Sequence, residues 1–506
     1  MFVKKHSYKL LVLLALAFSS CNDSLDLNPL DQISSATFWK TKGDFEKALT
    51  ANYANMQNDI WAVELPVWNC LTDDGFAQHN SGSAKEITSG SISPSTGGYV
   101  SNVYGESYKA IARVNIFLQQ LNAYKNSDIS DADRKLYEAE VRFLRGFFYF
   151  QLYSAYGDVP LVLEPLTLET QKQPKVAAEK ILAQILEDLD FAIANLNSAA
   201  YPQNGGHAAA SSAQAMKARI LIFSAYGNTG TPDLAVLKQV KDLATAVRGK
   251  YALSPKFEDI FRDAGQKGNP EIIFSANFLA PNNTRPWDMY YGDWLVASPL
   301  QNFVDAFECT DGLPYGVSPL TDKKEPFKNR DPRLAKTVFV DHPDFGGGKT
   351  HTPSNSRPTG YGVMKFLVPE NIPYGFSTLS QQNAVTLRLG EILLIFAEAQ
   401  NEIAGPDESV YAAMKELRAR VGMPPFPAGL SKTEMRERIR HERRIELAFE
   451  GLRYYDLKRW HIAAEVLNNV KDSFVPYKFE EKFYKWPLPQ PEIDKSGGVL
   501  IQNKDY

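Results

Sequence analysis

One stretch of the sequence combines aromatic rings and polar side chains in a pattern that suits sugar binding. A sugar ring has an apolar C–H face and a rim of hydroxyl groups. A flat aromatic side chain therefore suits the face, and carboxylate, amide or guanidinium groups suit the rim. The candidates for the face are Trp287, Tyr290, Tyr291 and Trp294, and those for the rim are Asn283, Arg285, Asp288 and Asp293. The alternative is that these rings anchor a loop to the protein body.

A second group of aromatic and polar residues lies between positions 61 and 80. Its candidate ligand-binding residues are Trp68, Asn69 and Asp73. The region has the composition of a polar, aromatic-bearing loop, and loops carry binding residues more often than buried elements do. The alternative is an ordinary surface loop in which Trp68 is buried.

Signals for catalysis, metal binding or nucleic-acid binding are weak. Pairs of carboxylates that could serve a glycosidase are always available in a chain with 59 acidic residues. Gly346–Thr350 resembles part of a phosphate-binding loop, but Pro343 stands where that motif needs a glycine. His342 and His351 flank this run without the spacing of a metal site. The formal net charge of -4 argues against a nucleic-acid partner. We predict no catalytic residue, metal or cofactor.

The first 21 residues predict export. Three lysines precede an apolar run over residues 10–18, which is too short to span a membrane. The small residues before Cys21 resemble a bacterial lipobox, so residues 1–20 are predicted to be a signal peptide, Cys21 the lipidated residue, and 21–30 a polar tether. The alternative is an ordinary secretory signal with Cys21 incidental. Outside the cytoplasm Cys70 and Cys309 could form a disulfide or remain thiols.

The rest of the chain has mostly helical periodicity. Apolar residues at helical spacing predict helices over 136–156, 181–196, 213–223, 234–247 and 389–403. Consecutive helices with short turns favour stacked hairpins, as in tetratricopeptide arrays. From about 250 to 385 Pro, Gly, Asn and aromatic residues dominate, with strand-like runs at Ile272–Phe274 and Val338–Val340. The fold class is therefore mostly all-α: a tetratricopeptide-like superhelix of helical hairpins with an irregular, loop-rich region carrying short strands.

Five segments, in order, resemble the SusD/RagB family of outer-membrane lipoproteins of Bacteroidetes. The most specific runs from Glu442 to Trp460 (ERRIELAFEGLRYYDLKRW). The others are Tyr104–Tyr108 with Ile111 and Asn115, Arg142–Pro160, Leu387–Ala399 and Trp486–Pro489. The charges of the first segment have the spacing of groups that cross-link neighbouring helices, with Arg453 and Asp456 fixing the next turn. We interpret this signature as structural, so function must be sought elsewhere.

The resemblance implies one body over residues 31–506, with helical parts at 31–250 and 386–506 and a ligand-binding, loop-rich part at 251–385. It also implies a non-catalytic protein, lipid-anchored and surface-exposed on the outer membrane, that binds a glycan for a SusC-like TonB-dependent transporter. Relatives build their sites from loops without a fixed motif, so no site residue is carried over. An oligopeptide-binding lid of a peptide transporter is the alternative, and a helical-repeat adaptor is a third class.

Overall fold

The computed structural model describes residues 38–201, 203–340, 350–471, 474 and 477–506. Cys21, the predicted signal peptide and the predicted tether lie outside these residues, as do Pro343, His342 and the glycines of the Gly346–Thr350 run.

In this part of the chain nine helices have twelve or more residues, and we number them α1 to α9. They are α1 (Lys42–Tyr53), α2 (Tyr99–Ala123), α3 (Asp131–Tyr156), α4 (Ala178–Asn195), α5 (Ala210–Ser224), α6 (Leu234–Arg248), α7 (Leu389–Ala404), α8 (Glu408–Ala419) and α9 (Lys432–Glu446). The five helices predicted from periodicity are α3 to α7, and all five are confirmed. Shorter helices occupy Ala84–Thr88, Asp263–Gln266, Gln301–Ala306, Arg333–Thr337, Arg453–Arg459, Ala463–Leu467 and Gln490–Ser496.

Helix α3 illustrates how the sequence defines these elements. The Ser130 hydroxyl caps the first turn by accepting a hydrogen bond from the Asp133 backbone N–H (3.1 Å), and Gly157 ends the helix at a positive φ of 77°. Two apolar stripes make the helix buried on two sides, as the sequence predicts. They are Val141, Leu144, Phe148, Leu152 and Ala155 on one side and Phe143, Phe147 and Phe150 on the other.

The helices stack as antiparallel hairpins, each packed on its neighbours along the chain from α2 to α8. Helices α6 and α7 also pack against each other, although 140 residues separate the end of one from the start of the next. The loop-rich segment is therefore inserted into a continuous helical stack. The mostly helical, tetratricopeptide-like fold class is confirmed.

Eight short strands accompany the helices in the described residues. They are β1 (Gly75–Ala77), β2 (Val159–Pro160), β3 (Lys175–Val176), β4 (Ile272–Ala276), β5 (Ala297–Pro299), β6 (Val338–Phe339), β7 (Gly362–Val363) and β8 (Ala384–Arg388). They form four antiparallel pairs, β1 with β5, β2 with β3, β4 with β8, and β6 with β7. The two predicted strand runs lie at β4 and β6. The β1–β5 pair joins the 61–80 region to the loop-rich segment.

A buried network of charges fastens the loop-rich segment to the helical stack. On α9, Glu446 binds Arg333 (2.9 Å) and Arg388 (2.6 Å), and Glu442 also binds Arg333. Burial alone would raise the pKa of Glu446, but the guanidinium groups of Arg420, Arg388 and Arg333 hold it well below its usual value. Removing one member would leave buried charges uncompensated. The signature segment is thus structural, as its spacing indicated.

Candidate functional site

Residues 287 to 294 form one wide helical turn in the loop-rich segment. The Trp294 N–H donates to the Met289 carbonyl (2.8 Å), and the Tyr290 N–H donates to the Pro286 carbonyl (2.7 Å). Residues four apart lie on the same side of such a turn. The four predicted aromatic residues therefore divide into two pairs, Trp287 with Tyr291 and Tyr290 with Trp294.

The pair Trp287 and Tyr291 faces the protein interior. Trp287 is 1% exposed and Tyr291 0%. The Trp287 Nε1 and the Tyr291 hydroxyl both donate to the Val63 carbonyl oxygen, each at 2.8 Å. Neither ring has a face open to a ligand, so the prediction that these two residues form a platform for a sugar is wrong. They anchor the turn to the chain after α1, which is the alternative that the sequence left open.

Asp288 and Arg285, predicted for the sugar rim, are also buried. The Asp288 carboxylate accepts hydrogen bonds from the Val368 N–H (2.8 Å), Asn371 Nδ2 (2.7 Å), Ser380 Oγ (2.8 Å) and Gln382 Nε2 (3.3 Å). Burial raises the pKa of Asp288 and lowers that of Arg285, whose guanidinium lies over the Trp287 ring. Both side chains hold neighbouring segments together instead of facing solvent.

The pair Tyr290 and Trp294 faces outward. Their rings stack with centroids 5.5 Å apart and planes at 15°. Phe376, which is 85% exposed, meets Trp294 edge-on at 5.4 Å, and the His79 ring lies 6.4 Å from Trp294. We call these four residues the aromatic surface. It offers adjacent ring faces and edges at the protein surface, the arrangement that the sugar hypothesis requires.

Polar groups border and support the aromatic surface. The Trp294 carbonyl accepts from Asn355 Nδ2 (3.2 Å) and lies 3.0 Å from His79 Nε2. The Asp293 carboxylate accepts from the Ser354 N–H (2.8 Å) and lies 3.0 Å from His351 Nε2. These bonds attach residues 351–355 to the back of the turn. Asn283 is exposed on a separate hairpin, where its backbone pairs with Leu279.

The 61–80 region is mostly interior. Trp68 is 4% exposed, stacks on Tyr99 with centroids 4.6 Å apart, and donates from Nε1 to the Ile60 carbonyl (3.0 Å). Asn69 Oδ1 accepts from the Gly451 N–H (3.1 Å). These contacts hold the protein interior together, so the prediction that Trp68 and Asn69 bind a ligand is wrong. The alternative with Trp68 buried fits the structure.

Asp73, the third candidate of that region, pairs with the signature segment. Its carboxylate contacts Arg444 (2.8 Å) and Arg453 (3.1 Å). Burial opposes ionisation, but these two guanidinium groups lower the pKa of Asp73 to about 2. The prediction that Asp73 binds a ligand is therefore wrong. Asp73 is instead the partner of two charges of the signature segment, and Arg453 fixes the next turn by binding it. The Arg443–Asp456 pair (2.7 Å) does the same.

Phe376 on the aromatic surface and Asn355, which supports it, have no sequence signal. Phe376 lies 82 residues after Trp294, in a loop that shares no pattern with the aromatic turn, and Asn355 lies among prolines and serines. His79 lies in the 61–80 region, but it is not among the candidate residues predicted there. The surface is assembled from three distant segments, which no local pattern reveals.

The cysteines, possible metal ligands and possible membrane spans can also be located among the described residues. Cys70 and Cys309 are both buried free thiols. Within the described ranges, no three or more His, Cys, Asp or Glu side chains are grouped so that they could hold a metal ion. No helix among the described residues is long and apolar enough to cross a membrane.

Comparison with known proteins identifies the family. The profile of the SusD family matches residues 258–506, and a profile described as starch-binding and associating with the outer membrane matches residues 25–222. The chain belongs to the SusD-like family.

Individual relatives agree over nearly the whole length. A SusD-like protein of Formosa agariphila is 27% identical, with 100% of both chains covered. The crystal structure of a SusD-like protein from Bacteroides fragilis has a TM-score of 0.79 at 26% identity and covers 95% of this chain and 100% of that one. A laminarin-binding SusD-like protein has a TM-score of 0.69 at 21% identity, with 92% and 100% covered, and so shares the fold.

Proposed function

We propose that this protein binds a glycan on the aromatic surface and does not alter it chemically. The observation that carries the proposal is the outward-facing stack of Tyr290 and Trp294, extended by Phe376, which is 85% exposed. A phenylalanine ring as exposed as Phe376 contributes little to the core, and together with the half-buried rings of Tyr290 and Trp294 it forms an apolar patch of the kind that marks a binding surface. The laminarin-binding protein of the same fold supports a glycan as the ligand.

We further propose that the protein is anchored through Cys21 at the outer membrane, exposed at the cell surface, and passes its glycan to a SusC-like TonB-dependent transporter. The description of the family profile that matches residues 25–222 supports the membrane association. Pull-down of the tagged, lipidated protein from native outer membranes tests the partnership. Co-purification of a TonB-dependent transporter supports it, and recovery of the protein without one contradicts it.

Affinity electrophoresis tests the binding function. The lipid-free protein, residues 22–506, is run through native gels that each contain one polysaccharide, among them laminarin, starch, xylan and mannan. We expect retardation of the wild type by one polysaccharide class and loss of that retardation in Tyr290→Ala/Trp294→Ala. Leu168→Ala is the control, because it removes an 82% exposed apolar side chain from a different loop.

The outcomes separate the alternatives. Retardation that survives in the double variant would keep glycan binding and reject the aromatic surface. No retardation in any gel would contradict the glycan function. Binding of an oligopeptide library by the wild type would then favour the peptide-uptake lid.

A further inference from the structure

A separate cleft, lined by chain segments that lead to the aromatic turn, offers a second place for a sugar. It lies between the end of α1, the turn at Gly205–His207, the end of β4 and the hairpin Leu279–Asn283, and its volume is about 340 Å³. This volume lies in the range of small-molecule sites. Its lining combines aromatic rings with neutral polar groups: Tyr53, Gln57, His207, Phe274, Asn277, Phe278 and Asn283. We call it the Tyr53 cleft.

We propose that the Tyr53 cleft is a second subsite for the same glycan, and that it binds sugar units farther along the chain from those on the aromatic surface. This inference rests on the proposed function. Its consequence is that the ligand is a chain of several sugar units, and that affinity rises with chain length until both places are filled.

The aromatic wall of the cleft is held in a fixed position. The Tyr53 hydroxyl donates to Glu140 Oε2 (2.7 Å) and accepts from the Ala208 N–H (3.0 Å). His207 Nδ1 lies 2.6 Å from the same carboxylate oxygen, and its ring meets the Tyr53 ring edge-on at 5.1 Å. Both rings are partly exposed, and each is held by its contact with the buried Glu140 carboxylate. A preorganised ring surface of this kind binds without a further ordering cost.

The polar wall consists of side-chain amides. Gln57 Nε2 donates to the Asn277 carbonyl (2.6 Å), which orients the amide and keeps its Oε1 as an acceptor. Asn277 Oδ1 accepts from Ser275 Oγ (2.8 Å), which leaves its Nδ2 as the donor end. The hairpin is closed by backbone bonds between Leu279 and Asn283, so the exposed Asn283 amide is not required to hold it. Amides carry both donors and acceptors, which matches the hydroxyl groups of a sugar.

The same two chain segments lead from the cleft to the aromatic surface. Gln57 lines the cleft, and six residues later the Val63 carbonyl holds the turn that carries Tyr290 and Trp294. On the other side, Asn283 lines the cleft, and the chain continues within seven residues to Tyr290. Two short chain segments therefore join the cleft to the turn that carries the aromatic surface.

The test compares chain lengths. Oligosaccharides of two to twelve units are prepared from the polysaccharide that retards the wild type, and their dissociation constants are measured by calorimetry. The cleft variant is Gln57→Ala/Asn283→Ala. The control is Gln119→Ala/Asn122→Ala, which makes the same changes at exposed positions on α2. The single variant Asn283→Ala guards against a folding defect, since that side chain is exposed.

We expect wild type and control to bind long oligosaccharides about tenfold more tightly than short ones, as two or three additional hydrogen bonds provide. In the cleft variants this gain disappears, while the affinity for the shortest ligands is unchanged. Equal length dependence in cleft variant and wild type would overturn the inference and leave the proposed function standing. A wild type that no polysaccharide retards would overturn both.

Discussion

Two pairs of aromatic residues in one helical turn have opposite surroundings. Trp287 and Tyr291 are buried and share the Val63 carbonyl as a hydrogen-bond acceptor. Tyr290 and Trp294 stack on each other at the surface. Both pairs combine one tryptophan with one tyrosine four positions apart, so residue type does not distinguish them. The side of the turn does, and the buried pair provides the rigid base that holds the half-buried outer pair in place.

Truncation of the buried pair should have the largest effect. We expect Trp287→Ala to lower the free energy of unfolding by about 3–5 kcal/mol, because it removes a buried aromatic ring and leaves a cavity. Denaturant unfolding followed by circular dichroism measures this change. A loss below about 1 kcal/mol would mean that the turn is not anchored through Trp287.

Truncation of the half-buried outer pair should affect binding more than folding. We expect Trp294→Ala to weaken glycan binding by about 30-fold, since the variant loses the ring face on which a sugar stacks. Its Tm should stay within about 2 °C of the wild type. Calorimetry with the retarding glycan gives the first quantity and thermal unfolding the second. Unchanged affinity together with a lowered Tm would assign Trp294 to the same role as Trp287.

Phe376 extends the exposed side and should have a smaller effect. It meets Trp294 edge-on from a different loop, so we expect Phe376→Ala to weaken binding about three- to tenfold without loss of stability. Phe376→Leu, which keeps apolar area but removes the ring, is the matched control. Full recovery of affinity in the leucine variant would show that area, and not ring stacking, is used.

Asp288 should show its burial through pH dependence. Burial raises its pKa in the folded state, so the folded protein holds this proton more tightly than the unfolded chain does. The stability of the wild type relative to Asp288→Asn should therefore increase as the pH falls from the raised pKa of the folded state to 3.8, the ordinary pKa of an aspartate. The increase should be less than about 1.4 kcal/mol per pH unit. Paired denaturant titrations between pH 4 and 7 measure this. A decrease over the same range would mean that the carboxylate is stabilised as an anion.

The fold could largely be predicted from the sequence, for physical reasons. The apolar periodicity of α3 to α7 reports burial directly, because a helix repeats its buried side every three to four residues. The signature charges were also interpreted correctly as structural: Glu446 and Arg453 bind partners on other segments.

The binding surface could be predicted only in part. The sequence located the aromatic-rich turn and left two roles open for its rings. A segment interpreted as a loop has no periodicity that would separate buried from outward-facing positions, so Trp287 and Trp294 could not be told apart. The spacing of four between members of each pair was the available signal. Phe376 and His79 join Trp294 through tertiary packing of distant loops, which no single-sequence pattern carries. Trp68 was misassigned because composition alone does not reveal the stack with Tyr99.

A crystal structure of the protein with an oligosaccharide of the retarding polysaccharide would show directly whether the aromatic surface binds the sugar. We expect a sugar ring to lie against the Trp294 ring at van der Waals distance, with Trp287 and Tyr291 still bonded to the Val63 carbonyl. A sugar bound elsewhere, with the Trp294 ring uncovered, would contradict this expectation.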